Sequence, residues 1–190
     1  MLATHPDGAA AISENGAIPW KRAAAVAASA ASSGADARAS VLLAGRTLVN
    51  AIRHEPPRHV LAGAPLFAAI AGLRSFQHAS VMSVGAALAQ NVAHAAALAE
   101  ESRAGDVDAI LGPDARPGFF ALLKPHLVGD DAPSLLLAVG TLMLADAAGA
   151  RGGIQKAKAA GLEAPIDALA KNVGTPSADI AVECLRLLRS

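Results

Sequence analysis

Apolar residues along this chain of 190 residues recur in a five-residue pattern: Ala or Val, then Gly, two variable positions, and Leu or Met. Copies of the pattern begin at Ala44, Val84 and Val139, and a weaker copy begins at Ala181. The final positions of successive copies are 40, 55 and 42 residues apart. We interpret each copy as part of a helix, close to its end. An apolar helical repeat with a period of about 40 residues predicts a stack of similar helical units, that is, an α-solenoid.

Each unit is predicted to hold a short, a medium and a long helix. Glycine and proline break the chain between the first two helices, as at Gly16 and Pro19 and again at Gly161 and Pro165. We expect the long helices over residues 36–53, 79–94 and 132–148, with a fourth that ends at Leu188. The predicted units cover residues 7–55, 56–98, 99–149 and 150–190, and an acidic insertion near residues 100–114 lengthens the third unit.

This order of helices resembles the armadillo repeat. Residues 14–19 and 159–166 look like that family's glycine-led start of the second helix, and Leu48-Val49-Asn50 looks like its Leu-x-Asn sequence near the end of the third. The resemblance implies an all-α, right-handed superhelical solenoid that forms a single domain over residues 1–190. A solenoid of two-helix, HEAT-type units is the alternative that the sequence leaves open.

The resemblance also implies where a partner would bind. In armadillo proteins the third helices line a concave face, where a ladder of asparagines holds the backbone of an extended peptide. The matching positions here are Asn50, Gln90, Ala145 and Leu187, of which only the first two can form hydrogen bonds. The tryptophans that flank the ladder in nuclear-import adaptors are missing, since Arg46 stands four residues before Asn50. We therefore expect a groove that accepts a helix or a folded protein rather than a nuclear signal.

Polar residues of the predicted long helices are the candidate partner-binding residues. Arg46, Asn50 and Arg53 are spaced i, i+4 and i+7, which places them on one helix face. They could contact an acidic partner, or they could simply face solvent. The full candidate set comprises Arg46, Asn50, Arg53, Gln90, Asn91, Thr141 and Glu183.

Charge and composition narrow the possible partners and compartments. The net charge is zero, which argues against nucleic acid as the main partner. Residues 1–75, 76–150 and 151–190 carry net charges of +3, −5 and +2, which could steer a partner or reflect solvated faces. The single cysteine, Cys184, excludes an intrachain disulfide and favours a reducing compartment. Both Cys184 and Trp20 are expected to lie in the core.

The sequence gives no sign of export or of membrane insertion. The N-terminus lacks the basic start and apolar stretch of a secretory signal. The longest apolar run, residues 135–145, is about half of what a bilayer crossing needs. We therefore predict a soluble, intracellular protein, in the cytoplasm, a cilium or an organelle.

The sequence contains no recognisable catalytic motif. Its six histidines are scattered, without the spacing of a metal site. Asp106 and Asp108 lie in the acidic insertion, but no twelve-residue calcium loop follows them. We predict a non-enzymatic protein without a cofactor or a bound metal.

Three functional hypotheses follow from this reading. The leading one is an adaptor or scaffold that holds a protein partner along the third-helix face. The second is a structural subunit built permanently into a large ciliary or organellar assembly, because residues 185–190 are expected to leave apolar side chains facing onward. The third is a lipid or small-molecule carrier with an alanine-lined cavity.

Overall fold

The protein is all-helical in the computed structural model, which describes residues 18–54, 64–97, 118–149 and 152–190. Nine α-helices and no strand occur within these ranges. The helices are α1 (Ile18–Ala28), α2 (Arg38–His54), α3 (Ala64–Ser75), α4 (Ala79–Ala97), α5 (Phe119–Leu123), α6 (Ala132–Gly149), α7 (Gly153–Ala159), α8 (Glu163–Ala170) and α9 (Pro176–Arg189). The predicted all-α class is thus confirmed. The predicted short helices of the first two units and the acidic insertion at 100–114 lie outside the described residues.

The predicted long helices are confirmed as α2, α4, α6 and α9, with ends within a few residues of those expected. These four helices pack in chain order, α2 against α4, α4 against α6 and α6 against α9. In the first half, α1 packs against α3, while α1 also contacts α2 and α3 contacts α4. The helices α1 to α4 therefore form two layers, with α1 and α3 behind α2 and α4.

The core consists of alanine and branched aliphatic side chains from every long helix. Val41, Leu48, Leu88 and Leu135 are each at most 1% exposed. Trp20 is 4% exposed, which confirms that it lies in the core. The abundance of alanine matters here because a small side chain lets two helix backbones approach closely without strain.

The five-residue pattern lies in the middle of the long helices, so our interpretation of it as a helix end was wrong. Its glycines mark close contacts between helices. A Cβ on Gly45 would lie 2.7 Å from Cγ1 of Val84 on α4, and one on Gly140 would lie 3.3 Å from Sγ of Cys184 on α9. Both neighbours belong to the next long helix. Two of the three repeated glycines therefore lie where successive long helices meet, whereas a Cβ on Gly85 would lie 2.9 Å from Cβ of Leu73 on α3.

The expectation that the chain ends with apolar side chains facing onward is also wrong. Leu185 and Leu188 are buried, and Leu187 is packed against the core. The outer, exposed side of α9 carries Val182, which is 52% exposed, together with Glu183 and Arg186, and Arg189 lies at its edge, one turn from Leu185.

This outer side carries a group of ion pairs. Arg189 contacts Glu163 at 2.9 Å and Asp167 at 3.1 Å on α8, and Arg186 contacts Glu183 at 2.9 Å. Hydrogen bonds from Lys171 and Arg189 lower the pKa of the Asp167 carboxyl group. The exposed side of α8 and α9 therefore carries several ion pairs, with the apolar Val182 beside them.

The predicted break at Gly161 is confirmed, and its geometry explains why glycine is needed. Gly161 has a φ of 70°, a left-handed conformation that favours glycine. The N–H of Gly161 donates to the Lys158 carbonyl and the N–H of Leu162 donates to the Ala157 carbonyl, which together form a Schellman motif. Nζ of Lys124, from the preceding unit, donates to the Ala160 carbonyl at 3.1 Å. This bond ties the end of α7 to the segment that follows α5.

Gly72 lies at the closest contact between α3 and α1. Substitution at this position therefore tests how much the contact contributes to stability. A Cβ on Gly72 would overlap the carbonyl oxygens of Ala27 and Ala28 on α1. Because rigid backbone cannot yield as a side chain can, we expect Gly72→Ala to lower the free energy of unfolding by about 1–3 kcal/mol, despite the better helix propensity of alanine. Urea denaturation followed by circular dichroism would measure the change.

Gly34→Ala is the matched control, since nothing lies within 4 Å of a Cβ built there. Its φ of −69° suits alanine as well as glycine. We expect its effect to stay within about 1 kcal/mol, in the stabilising direction if any. Equal losses for Gly72→Ala and Gly34→Ala would contradict the packing of α3 against α1.

Candidate functional site

The exposed side of α2 carries three of the candidate partner-binding residues. Arg46, Asn50 and Arg53 share this side with Leu43, which is 66% exposed. The buried residues Val41, Leu48 and Ile52 lie on the opposite side of the helix, as the spacing requires. The predicted common face of the arginines and the asparagine therefore exists and points away from the core.

The next two long helices expose corresponding strips. On α4 the strip contains Ser83, Ala87, Gln90 and His94, and on α6 it contains Leu137, Thr141 and Leu144. The strip of α4 lies between the side that contacts α2 and the side that contacts α6, so the three strips adjoin. We name the combined surface the long-helix face, which comprises Leu43, Arg46, Asn50, Arg53, Ser83, Ala87, Gln90, His94, Leu137, Thr141 and Leu144.

The long-helix face changes character from one end to the other. Arg46 and Arg53 are exposed and have no ion-pair partner in the part of the chain that the structure describes. The strip of α4 is polar or small. On α6, Leu137 is 42% exposed and Leu144 is 55% exposed. The face is thus basic on α2, where Leu43 is also 66% exposed, and largely apolar on α6.

Asn91 does not belong to this face, although it was a candidate. Its side chain lies on the α2-facing side of α4, where Nδ2 donates to the carbonyl oxygen of Val49 at 3.0 Å. The bond lies one helical turn beyond the contact between Gly45 and Val84. Asn91 therefore joins α4 to α2, and its amide group is already used within the fold.

The remaining candidates are spread over separate places. Asn50 and Gln90 lie on the face, half-buried, and neither has a hydrogen-bond partner among the described residues. The side chain of Ala145 lies outside the described part of the structure, and Leu187 packs against the core. Glu183 is exposed on α9, where it pairs with Arg186. Two polar positions of the proposed ladder are therefore available for hydrogen bonding.

A buried ion pair fixes the position of α6 relative to α4. The Arg74 side chain, 1% exposed, forms an ion pair with Asp131, just before α6. Nη1 of Arg74 also donates to the Met82 carbonyl at 2.8 Å, and the Ser83 hydroxyl donates to Oδ1 of Asp131 at 2.8 Å. These bonds join the end of α3, the start of α4 and the start of α6. They hold the polar and apolar strips of the long-helix face side by side.

His126 adjoins this ion pair and is sensitive to it. Its carbonyl oxygen accepts a hydrogen bond from Nη2 of Arg74 at 3.5 Å. Burial, followed by the positive charge of Arg74, lowers the pKa of the His126 ring below its usual value. Protonation of His126 is therefore less favourable in the folded protein than in the unfolded chain.

Cys184 is a packing residue, as predicted. Its Sγ lies 3.6 Å from the Leu136 carbonyl oxygen, in the contact between α9 and α6. Burial, together with the charge of Glu183, raises the pKa of the thiol to about 11. The reactive thiolate form is therefore scarce at neutral pH.

Comparison with known proteins adds no relative from which a role could be inferred. No family model, no curated protein and no solved structure matches this chain. Among the described residues, no helix combines the length and the apolar character needed to span a membrane, and no three His, Cys, Asp or Glu side chains converge as metal ligands would. The class of protein is set by its all-helical architecture alone.

Sequence reasoning missed the apolar part of the face and the ion pair beneath it. Leu137 and Leu144 occur in a helix that is apolar on nearly every side, and such a pattern indicates burial rather than an exposed strip. Arg74 and Asp131 are 57 residues apart. The only local signal was a single arginine directly after the apolar run of α3, which did not identify its partner.

The ion pair predicts that two neighbouring aspartates, Asp131 and Asp130, contribute very differently to the stability of the fold. Asp131→Asn would leave Arg74 buried without its counter-charge, so we expect it to lower the free energy of unfolding by about 3 kcal/mol. Asp130→Asn is the control, because Asp130 is exposed in the same turn. We expect a change of less than about 0.5 kcal/mol for this control. Urea denaturation of both variants would measure the difference, and equal effects would show that the pair does not hold the two helices.

His126 predicts a loss of stability on acidification. Because its pKa is lowered by folding, the unfolded chain binds the proton first as the pH falls below about 6.5. Stability is therefore lost from that pH downward. His126→Gln should reduce the difference in unfolding free energy between pH 7.5 and pH 5.5. If His126→Gln loses as much stability between pH 7.5 and pH 5.5 as the unsubstituted protein does, other titratable groups cause the loss.

Proposed function

We propose that this protein is an armadillo-like α-solenoid that binds a protein partner along the long-helix face. The packing of α2, α4, α6 and α9 in chain order supports the solenoid, since each long helix contacts the next. The close contacts at Gly45 and Gly140 support a repeated geometry between neighbouring units. Stacked units of this kind leave one side of the row open for binding.

The observation that carries the proposal is the graded character of the long-helix face. Arg46 and Arg53 supply positive charge on α2. Exposed leucines occur on α6, as Leu137 and Leu144, and also beside the arginines on α2, as Leu43. Gln90 lies between α2 and α6 with an amide that can both donate and accept. A partner would therefore bury apolar side chains on α6 while it places carboxylates near α2.

The spacing of the helices limits the size of that partner. Neighbouring packed helices lie about 8–10 Å apart, so the basic and apolar strips are separated by about 20 Å. An α-helix of about 13 residues spans this distance. An amphipathic helix with acidic residues at one end and leucine-like residues at the other fits the face, as does the surface of a folded protein with the same layout.

The alternative hypothesis is a permanent structural subunit. One observation on α6 supports it, and one on α9 argues against it. The exposed leucines of α6 would suit a lasting interface. The leucines of residues 185–190, however, are packed against the core and do not face onward, and Val182 is the exposed apolar residue that the structure describes on α9. Light scattering after size-exclusion chromatography separates the two hypotheses, because a reversible adaptor stays monomeric alone whereas an obligate subunit aggregates until its partner is added. The carrier hypothesis and the absence of enzymatic activity stay predictions.

Charge reversal on the face provides the main test. We expect the double substitution Arg46→Glu and Arg53→Glu to reduce capture of the partner from the native source by at least about tenfold, that is, about 1.4 kcal/mol. The control is Lys21→Glu with Arg22→Glu, which reverses the same charge on exposed positions of α1. Quantitative mass spectrometry of affinity-captured proteins would make the comparison.

A second pair of variants tests the apolar strip. Leu144→Gln should reduce the same capture, because it replaces an apolar contact on α6. Val173→Gln is the control, since Val173 is 90% exposed in the turn before α9 and lies outside the face. If the captured proteins are the same for all four variants, the long-helix face is not the binding surface.

A further inference from the structure

A cavity lies between the turns that lead into the first two long helices. Its volume is about 510 Å³, within the range of small-ligand sites. One wall comes from the segment between α1 and α2, and the other from the segment between α3 and α4. The lining residues are Ala30, Ala31, Ser33, Gly34, Ala35, Arg38, Ser75, Phe76, Gln77 and His78. None of them belongs to the long-helix face, so the cavity is a separate place on the molecule.

Part of the cavity wall is apolar and well supported. Ala30 is fully buried and Phe76 is 7% exposed, so both are held by the core. The methyl groups of Ala31 and Ala35 extend this apolar lining. A short hydrocarbon group placed here would remove apolar surface from water on both partners.

The polar part of the lining consists of groups that favour an anion. Arg38 is exposed and has no ion pair with any described residue, and none of the lining residues carries a carboxylate. A guanidinium group binds a carboxylate through two parallel hydrogen bonds, which gives the contact direction as well as strength. The electrostatic preference of the cavity is therefore for a negative group near Arg38.

His78 adds a second donor of defined orientation. Its Nδ1 accepts the backbone N–H of Ser80 at 3.3 Å and lies 2.9 Å from the Ser80 hydroxyl. Because Nδ1 accepts a hydrogen bond, the proton of the neutral ring resides on Nε2, which can then donate. Gln77 supplies an exposed amide beside it, and this amide has no hydrogen-bond partner among the described residues.

We propose that this cavity binds a carboxylate carried on a short apolar group. The carboxylate pairs with Arg38 and accepts hydrogen bonds from the neighbouring donors, while the apolar group covers the exposed alanines Ala31 and Ala35. A free carboxylic acid and the C-terminus of a peptide share this chemistry. The proposal does not depend on the long-helix face.

Binding is tested by nuclear magnetic resonance titration of the isotope-labelled protein. Four probes are used: hexanoate, hexanamide, acetyl-Gly-Ala-Leu with a free carboxylate, and the same tripeptide as its C-terminal amide. We expect at least one acid to shift the backbone signals of Ser33, Ala35 and Gln77 in a saturable way below about 10 mM. The corresponding amide should bind at least about tenfold more weakly. Which acid binds distinguishes the free acid from the peptide terminus.

Variants assign the effect to the cavity. Arg38→Gln should weaken binding of the acid by at least about tenfold, and Arg38→Lys should weaken it less, because lysine keeps the charge but lacks the paired donors. Arg22→Gln on the exposed side of α1 is the control and should change nothing. Unchanged spectra with both acids, equal binding of acid and amide, or full binding by Arg38→Gln would each overturn the proposal.

Discussion

Close contact between successive long helices is the constraint on which the rest of the structure depends. Gly45 admits Val84 of α4, and Gly140 admits Cys184 of α9, because neither glycine has a side chain in the way. Such a close contact restricts the rotation of each helix about its axis, because only a narrow range of rotations keeps the glycine against its neighbour and also buries the aliphatic residues. The exposed strip is then fixed as well, so the position of Arg46 or Thr141 follows from packing elsewhere on the same helix.

The buried ion pair places charged groups at one of these helix contacts, whereas the contact between α4 and α2 uses a neutral amide. Where α4 meets α2, aliphatic contacts and the Asn91 amide suffice, but where α4 meets α6 the structure uses Arg74 and Asp131. A buried pair adds little net stability compared with apolar packing, yet it strongly disfavours arrangements that separate its members. The pair thus selects one register between the polar strip of α4 and the apolar strip of α6.

Helix positions could be predicted from the sequence because they depend on local signals. Glycine and proline set the breaks, as at Gly161, and the apolar spacing set the buried sides. The site was less predictable because it depends on distant contacts. Asn91 looked like a surface residue until its neighbour α2 was in place, and the exposure of Leu137 depends on how α4, α7 and α9 surround α6. Such contacts join residues that are far apart in the chain.

The contrast between the strips of α4 and α6 favours binding over simple solvation. If the long-helix face were only exposed to solvent, polar residues would be expected on the exposed strip of α6, as they are on that of α4. Helix formation does not require leucine there, because glutamine and lysine have almost the same helix propensity. Single exposed leucines are common on protein surfaces, but Leu137 and Leu144 lie two turns apart on one strip. That strip adjoins the polar strip of α4 and, beyond it, arginines that form no ion pair with any described residue. This arrangement supports the proposed recognition of an amphipathic partner.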